Sequence, residues 1–419
     1  MNSMNILVEL DRLIKTEANV IAVLPEREST IATVIEASTR STGVVVIVSP
    51  NLTGVARALS LLPAAIQART LLIGPGLTHA ELDLRQMDIE AHRYAIVCIT
   101  PGRLQSFPLV RALGEASVTR VICLDSASIH QGSGRFYPEY GIIFELLSLL
   151  NDPPVIFFST TATRRSLDDI SNRLSRRPVV LLGDIVPRTA FLIINKCCDE
   201  ENRLAKLTRL VANRHGSGIV YVNSRQQGYR VEQRLRQGGS SVRLYHAGLG
   251  SAERAAIVDR FQSAEVPILV ATHAYVQTDA LPVLRYIIHY SPPPSLDLYV
   301  RNIAALGLHD KISLSCVLTM ADEDDELRRW SRKAFVSADC LEAVYNALSI
   351  AIAGPVGLVD EGAVLDLVSQ QGYDDIDLWL CISLLERAGV VRRGFDAPRA
   401  ATVLIRDSGL TGDDVEWAQ

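Results

Sequence analysis

The chain is 419 residues long, 48% hydrophobic and 21% charged, with a net charge of −5. That length exceeds a single core and points to two or three domains, while the composition is globular and excludes a disordered or fibrous chain. No apolar run reaches the about 18 residues of a membrane helix. Glu9, Asp11 and Lys15 interrupt the N-terminus where a secretory signal would be apolar, so a cytoplasmic protein with no membrane role is expected.

From Val20 to about Met320, short apolar runs alternate with amphipathic stretches. The first strand candidates are VIAVL (20–24), VVVIV (44–48), TLLIG (70–74), AIVCI (95–99), VICL (121–124) and PVIFFS (154–159). RPVVLLGDIVP (177–187) reads as a connection to a second series: AFLIIN, GIVYVN, VRLYHA, PILVAT, RYIIHY and SLSCVL. Fully apolar strands separated by helix-length segments indicate parallel sheets covered on both faces. Two series imply two α/β domains in tandem. Beyond Asp339 the apolar spacing becomes helical in LEAVYNALSIAI, EGAVLDLVSQQG and DIDLWLCISLLERAG. VVRRGF and AATVLI then read as a hairpin. Three helices and a hairpin make a winged-helix-like module. The expected divisions are residues 1–180, 181–325 and 338–406, with an acidic tail at 407–419.

Charge is uneven. From Asp339 onward there are five basic and fourteen acidic residues, which leaves 37 basic against 33 acidic before it. A mildly basic body with an acidic end is compatible with nucleic-acid binding without demanding it. Of the seven cysteines, Cys98, Cys123 and Cys316 lie in strand-like apolar runs and read as reduced thiols. Adjacent Cys197 and Cys198 cannot both face one metal from a regular strand, so no metal site is expected.

Ligands of parallel α/β domains sit at the C-terminal ends of strands, and the ends here, SPNL (49–52), TPGRL (100–104), YHAGL (245–249) and ILVATHAY (268–275) among them, together resemble those of the RecQ family of superfamily 2 DNA helicases. SPNL (49–52) and TPGRL (100–104) follow the second and fourth strands. Asp125 to Ser128 (DSAS) stands at the family's DEAH position, FYPEY (136–140) at its aromatic loop, and TAT (161–163) resembles its TATA motif. In the second series GIVYVNSR (218–225), YHAGL (245–249), Arg254, Phe261, ILVATHAY (268–275) and LRYIIHYSPPPSLDLY (284–299) fall in the family's order. The resemblance covers about residues 20 to 320 and implies two RecA-like lobes.

It also implies that the nucleotide chemistry is lost. A phosphate-binding loop needs glycines, a Lys and a Ser/Thr. LPERESTI (24–31) instead aligns Arg27 and Ser29 with the family's glycines, Thr30 with its lysine and Ile31 with its hydroxyl residue. Glu26 and Glu28 would stand near a triphosphate, and a like-charge pair at about 6 Å costs roughly 3 kcal/mol. Ser126 replaces the glutamate that would activate water, a role serine cannot fill near neutral pH. Ala280 replaces an acidic residue of the second lobe. In RNIAALGLHD (301–310), Ala305 and Leu308 align with the two arginines of the last helicase motif. No catalytic residue and no nucleotide cofactor are therefore expected.

The segments that face nucleic acid in the family are better kept. The resemblance assigns such contacts to Ser49, Pro50, Thr100, Gly102, Arg103, Thr161, Asn223, Ser224, Arg225, His246 and Thr272, and to Arg392, Arg393 and Arg399 of the hairpin. Packing is the competing reading for the strand ends, and a structural hydrogen bond for His246. No cysteine cluster for zinc lies between core and C-terminal module, where ELRRWSRKAF (326–335) stands instead. Three functions compete. The first is an inactive helicase-fold scaffold that binds single-stranded or forked DNA beside an active helicase or nuclease. The second is a protein-interaction module docking through its acidic C-terminal region. The third is a residual ATP-dependent helicase. If it binds DNA, the chain is expected at the nucleoid.

Overall fold

The computed structural model describes residues 3–40, 43–74, 77, 79–129, 138–273, 275, 281–308, 311–321, 323, 336–352, 354–373, 375–393 and 401–405. Its first sheet has seven strands. They are β1 (Val20–Val23), β2 (Val44–Val48), β3 (Thr70–Ile73), β4 (Ile96–Ile99), β5 (Val118–Cys123), β6 (Val155–Ser159) and β7 (Val179–Leu182), in spatial order β3-β4-β2-β5-β6-β1-β7. All pairings are parallel. Because side chains alternate faces along a strand, each all-apolar run feeds two cores. Val46, Val97, Val121 and Phe157 pack on one face, and Ile47, Cys98, Ile122 and Ile156 on the other.

β7 lies inside the stretch expected as a connection. Its VVLL run pairs with β1, Val20 opposite Val179, and becomes an edge strand. Gly183 follows it, and a Cβ there would stand 2.3 Å from a Leu24 methyl, so only glycine lets the chain leave the sheet so closely.

The second sheet is also all parallel, with β8 (Ala190–Lys196), β9 (Ser217–Val222), β10 (Val242–Tyr245), β11 (Ile268–Thr272), β12 (Leu284–His289) and β13 (Ser313–Thr319) in the order β10-β11-β9-β12-β13-β8. Two RecA-like α/β lobes result, as the alternation of apolar runs predicts. Arg203, buried on the helix Glu200–Ala212, ties this lobe together. It bonds Glu200, Glu323, the Ser291 hydroxyl and the Tyr290 carbonyl.

The C-terminal region holds the helices Ala338–Ala351, Glu361–Ser369 and Asp375–Arg387 around Val344, Leu348, Val368 and Cys381. Its sheet has three antiparallel strands rather than two, β14 (Val356–Val359), β15 (Val391–Arg393) and β16 (Ala401–Ile405), with β16 in the middle. The VGLV run of β14 is too short to separate from a loop by periodicity and gains its partner only from β16. This region lies against the first lobe, where Arg392 Nε is 3.9 Å from Glu145 Oε1.

Candidate functional site at the cleft between the lobes

The helix Glu28–Ser38 begins four residues after β1, and its first residues border a cleft between the lobes. Arg27 occupies the N-cap without a side-chain cap bond, and its guanidinium crosses to the second lobe, donating to the Gly307 carbonyl at 2.7 Å. Glu26 folds back, and its Oε1 accepts the Asp125 backbone N–H at 2.9 Å. Asp125 itself sits at φ 54°, a left-handed conformation that Asp tolerates better than most residues. Burial, and then the neighbouring Asp125 charge, push the Glu26 carboxyl up to about 8.

The partner of Asp125 comes from the other lobe. Arg301, on the helix Leu296–Ile303, places Nη1 2.6 Å from Asp125 Oδ1, and its Nη2 lies 3.4 Å from Asp297. Burial works against the guanidinium charge, but Asp125, Asp297 and Glu26 outweigh it and raise its pKa. Arg301 is the residue the sequence reading missed. It opens RNIAALGLHD, a segment read only at Ala305 and Leu308. The available signal was Asp297–Arg301, an i,i+4 acid–base pair that keeps the arginine on the cleft face of its helix.

These residues do not fit a nucleotide with its metal. A Mg²⁺ at Asp125 would have to displace Arg301, and phosphates would meet Glu26 and Glu28. The cleft measures about 140 Å³, against roughly 300–1,000 Å³ for typical ligand pockets. Ala305 and Leu308 line it with apolar groups where cations would be needed. Ser29 and Thr30 do not border it, and Ser126 is buried behind Asp125 at the start of the turn Ser126–Ile129. Among the described residues, no group of three or more His, Cys, Asp or Glu could hold a metal ion.

Outside the C-terminal hairpin, the residues expected to face nucleic acid form two groups, one per lobe. In the first, β2 and β4 are neighbours, so Ser49 and Pro50 lie beside Thr100 and Gly102. Ser49 is buried and its Oγ accepts the Asn51 N–H at 3.1 Å. Gly102 is exposed and open around its Cα. Arg103 is turned inward, donating to the Gly74 and Leu77 carbonyls at 3.2 and 3.4 Å. Thr161 is buried with its hydroxyl unpartnered. Tyr140 of the aromatic loop is also buried, its hydroxyl within reach of the Val48 and Leu124 carbonyls.

In the second group Ser224 caps the helix Arg225–Gln237, accepting from the Gln227 N–H, and Arg225 beside it is exposed. Gly248 leaves that guanidinium room, since a Cβ there would stand 2.7 Å from Arg225 Nη1. His246 Nδ1 accepts the Gly248 N–H at 3.1 Å, which makes Nε2 the donor to the Tyr229 hydroxyl at 2.9 Å. Asn223 spends its amide on the Pro292 carbonyl and on His273, next to Thr272. His273 continues through Asn302 to His289, so a polar chain runs from the end of β9 to the helix carrying Arg301. Neither His273 nor Asn302 was singled out in the sequence. Ala280, Arg399, residues 326–335 and the tail lie outside the described residues, as does the side chain of Arg393.

Two parallel-sheet lobes closing on a cleft bordered by the loop after β1 and the turn after β5 are also the fold of solved helicase structures. Over nearly its whole length the chain follows the crystal structure of the DUF1998 helicase MrfA bound to DNA, with a TM-score of 0.60 at 13% identity, covering 98% of this chain and 58% of that one. Residues 202–304 match the helicase conserved C-terminal domain family. In sequence the chain is similar to RecQ-type DNA helicases. It is 26% identical to the Bacillus subtilis "Probable ATP-dependent DNA helicase RecS" over 345 residues, 82% of this chain and 68% of RecS. It is 28% identical to Bacillus subtilis "ATP-dependent DNA helicase RecQ" over 257 residues, and that match spans 60% of this chain but only 43% of RecQ.

Proposed function

We propose that this chain binds DNA without hydrolysing nucleotide and serves as a RecQ-like scaffold or accessory to an active helicase or nuclease. The carrying observation is the Arg301–Asp125 pair, which fills with the protein's own cation the position where Mg²⁺-bound phosphate would be held. Similarity to RecS and RecQ supports the DNA half of the reading, as does the exposed cluster of Ser224 and Arg225 at the strand ends of the second lobe. In this reading residues 1–180 and 181–325 are the lobes, and 338–406 is a winged-helix-like module whose basic hairpin extends the DNA face.

A titration of fluorescent single-stranded, forked and duplex DNA tests the proposal. Binding is expected at low salt, unchanged by ATP·Mg²⁺, and falling linearly with the logarithm of salt concentration. Arg225→Ala is expected to weaken all three substrates alike and to reduce the salt slope by about 1. Absence of binding to every substrate sinks the DNA half. DNA-stimulated phosphate release that disappears in Asp125→Ala sinks the claim of inactivity.

A further inference from the structure

We infer that Cys340 and Cys381, in the core of the C-terminal region, are a redox-active pair that a small-molecule disulfide such as oxidised glutathione converts to an intramolecular disulfide. Their sulfurs stand 3.4 Å apart across the contact between the helices Ala338–Ala351 and Asp375–Arg387, and both residues are buried. Each side chain belongs to the buried stripe of its helix. Cys340 is followed at helical spacing by Val344, Ala347 and Leu348, and Cys381 lies with Leu378 and Ile382 in the same core. A disulfide holds its sulfurs at about 2.05 Å, so closing the bond takes a movement of roughly 1.4 Å shared between two side chains on elements already packed together.

The cysteines of the first sheet are arranged otherwise. Cys98 and Cys123 point to opposite faces, one in each core, and burial holds both thiols well above their ordinary range. Cys340 has a route to reaction that they lack. It is the third residue of a 14-residue helix, where the positive end of the helix dipole favours a thiolate, and its backbone N–H is capped by Ser337 Oγ at 3.1 Å. Ser337, Ala338 and Asp339 are exposed, so opening of this single turn brings Cys340 to solvent. Among the described residues no group of three or more His, Cys, Asp or Glu could hold a metal ion, which leaves the pair with the chemistry of two thiols.

The Cys340 thiolate attacks one sulfur of the oxidant, forming a mixed disulfide and expelling a first small thiolate. The Cys381 thiolate then attacks the Cys340 sulfur and expels the second. Two protein thiols are oxidised, one small disulfide is reduced to two thiols, and the protons lost by the protein are taken up by the leaving thiolates. The new bond closes a loop that contains β14 and the helix Glu361–Ser369. It fixes the helix Asp375–Arg387, which leads into β15 and borders the seam with the first lobe through Ser383 and Glu386.

Oxidation of the full chain in millimolar oxidised glutathione, followed by blocking of the remaining thiols with N-ethylmaleimide, tests this independently of any DNA or nucleotide binding. Cleavage after glutamate cuts between the two cysteines at Glu342 and Glu361, and the peptides carrying Cys340 and Cys381 are expected to stay joined until a thiol reductant is added. In the joined form hydrogen exchange across both helices is expected to slow at least about tenfold. Cys381→Ser is expected to retain glutathione on Cys340, whereas in Cys340→Ser modification of Cys381 falls at least about tenfold below that. Should a serine variant fail to fold, the linkage and the exchange of the unmodified chain decide. Separate peptides at every oxidant concentration, a bond from either cysteine to any other, unchanged exchange in the joined chain, or equal modification of the two serine variants each overturns the inference.

Discussion

Glu26, half-buried at the cleft, and His289, fully buried, give the molecule opposite responses to pH. Glu26 has a folded pKa pushed up to about 8 from 4.5. The folded state therefore holds more protons than the unfolded one between those values, and stability falls as pH rises through that window. His289 is buried beside His273 and pushed down to about 3 from 6.5, so the unfolded state holds more protons there and stability falls as pH drops below 6.5. Maximal stability is expected near pH 5–6.5. In Glu26→Gln, which keeps a carbonyl for the Asp125 N–H, the loss of melting temperature from pH 6 to 8.5 should shrink by the equivalent of about 1–3 kcal/mol. Equal pH slopes in the two proteins would remove Glu26 from the account. The Arg301–Asp125 pair belongs to the same scale. A double-mutant cycle of Arg301→Ala with Asp125→Asn, read by urea unfolding, is expected to give a coupling of about 1–3 kcal/mol. A coupling near zero would mean that solvent screens the pair.

At the scale of elements, the helix Glu200–Ala212 is held by its apolar face, Leu204, Leu207 and Val211, and by one buried charge. Arg203 is buried with four partners from three segments, and its guanidinium also lies over the Tyr290 ring at 4.7 Å. Arg203→Ala leaves Glu323 buried without its cation and is expected to cost about 3–5 kcal/mol in chemical denaturation. Arg203→Met, which fills the volume but not the charge, should recover only a minor part of that. Strands, by contrast, follow from local apolar runs: VVVIV and IVCI needed no distant information to be read as buried. β7 and β14 show the limit, because their runs, set among connection and loop residues, acquire strand character only when β1 and β16 offer them a ladder.

For the whole molecule, the cleft is the decisive feature. Arg27 to Gly307 and Arg301 to Asp125 both bridge the lobes, so the two sheets are coupled without any ligand between them. One cooperative thermal transition is expected for the unmodified chain, and ATP·Mg²⁺ should shift its midpoint by less than about 1 °C, since a ligand that does not bind the folded state cannot stabilise it. Arg301→Glu places three acids together and should separate the unfolding of the lobes into two transitions in calorimetry. A single unchanged transition in that variant would show that the lobes are joined by other contacts.

The sequence alone determined that two parallel sheets form and which strand ends face the cleft, because burial of apolar runs is set by neighbours a few residues apart. Through the resemblance it also implied which groups of a nucleotide site are replaced: the glycines, the lysine, the water-activating glutamate and the paired arginines. Only the tertiary structure decided what fills the gap. Asp125 and Arg301 meet from different lobes, and no periodicity encodes a distance of 2.6 Å between them. Their pairing, like the inward turn of Arg103, depends on which surfaces the finished fold leaves in contact with water. Coulomb energy and desolvation are functions of that three-dimensional separation and not of position along the chain.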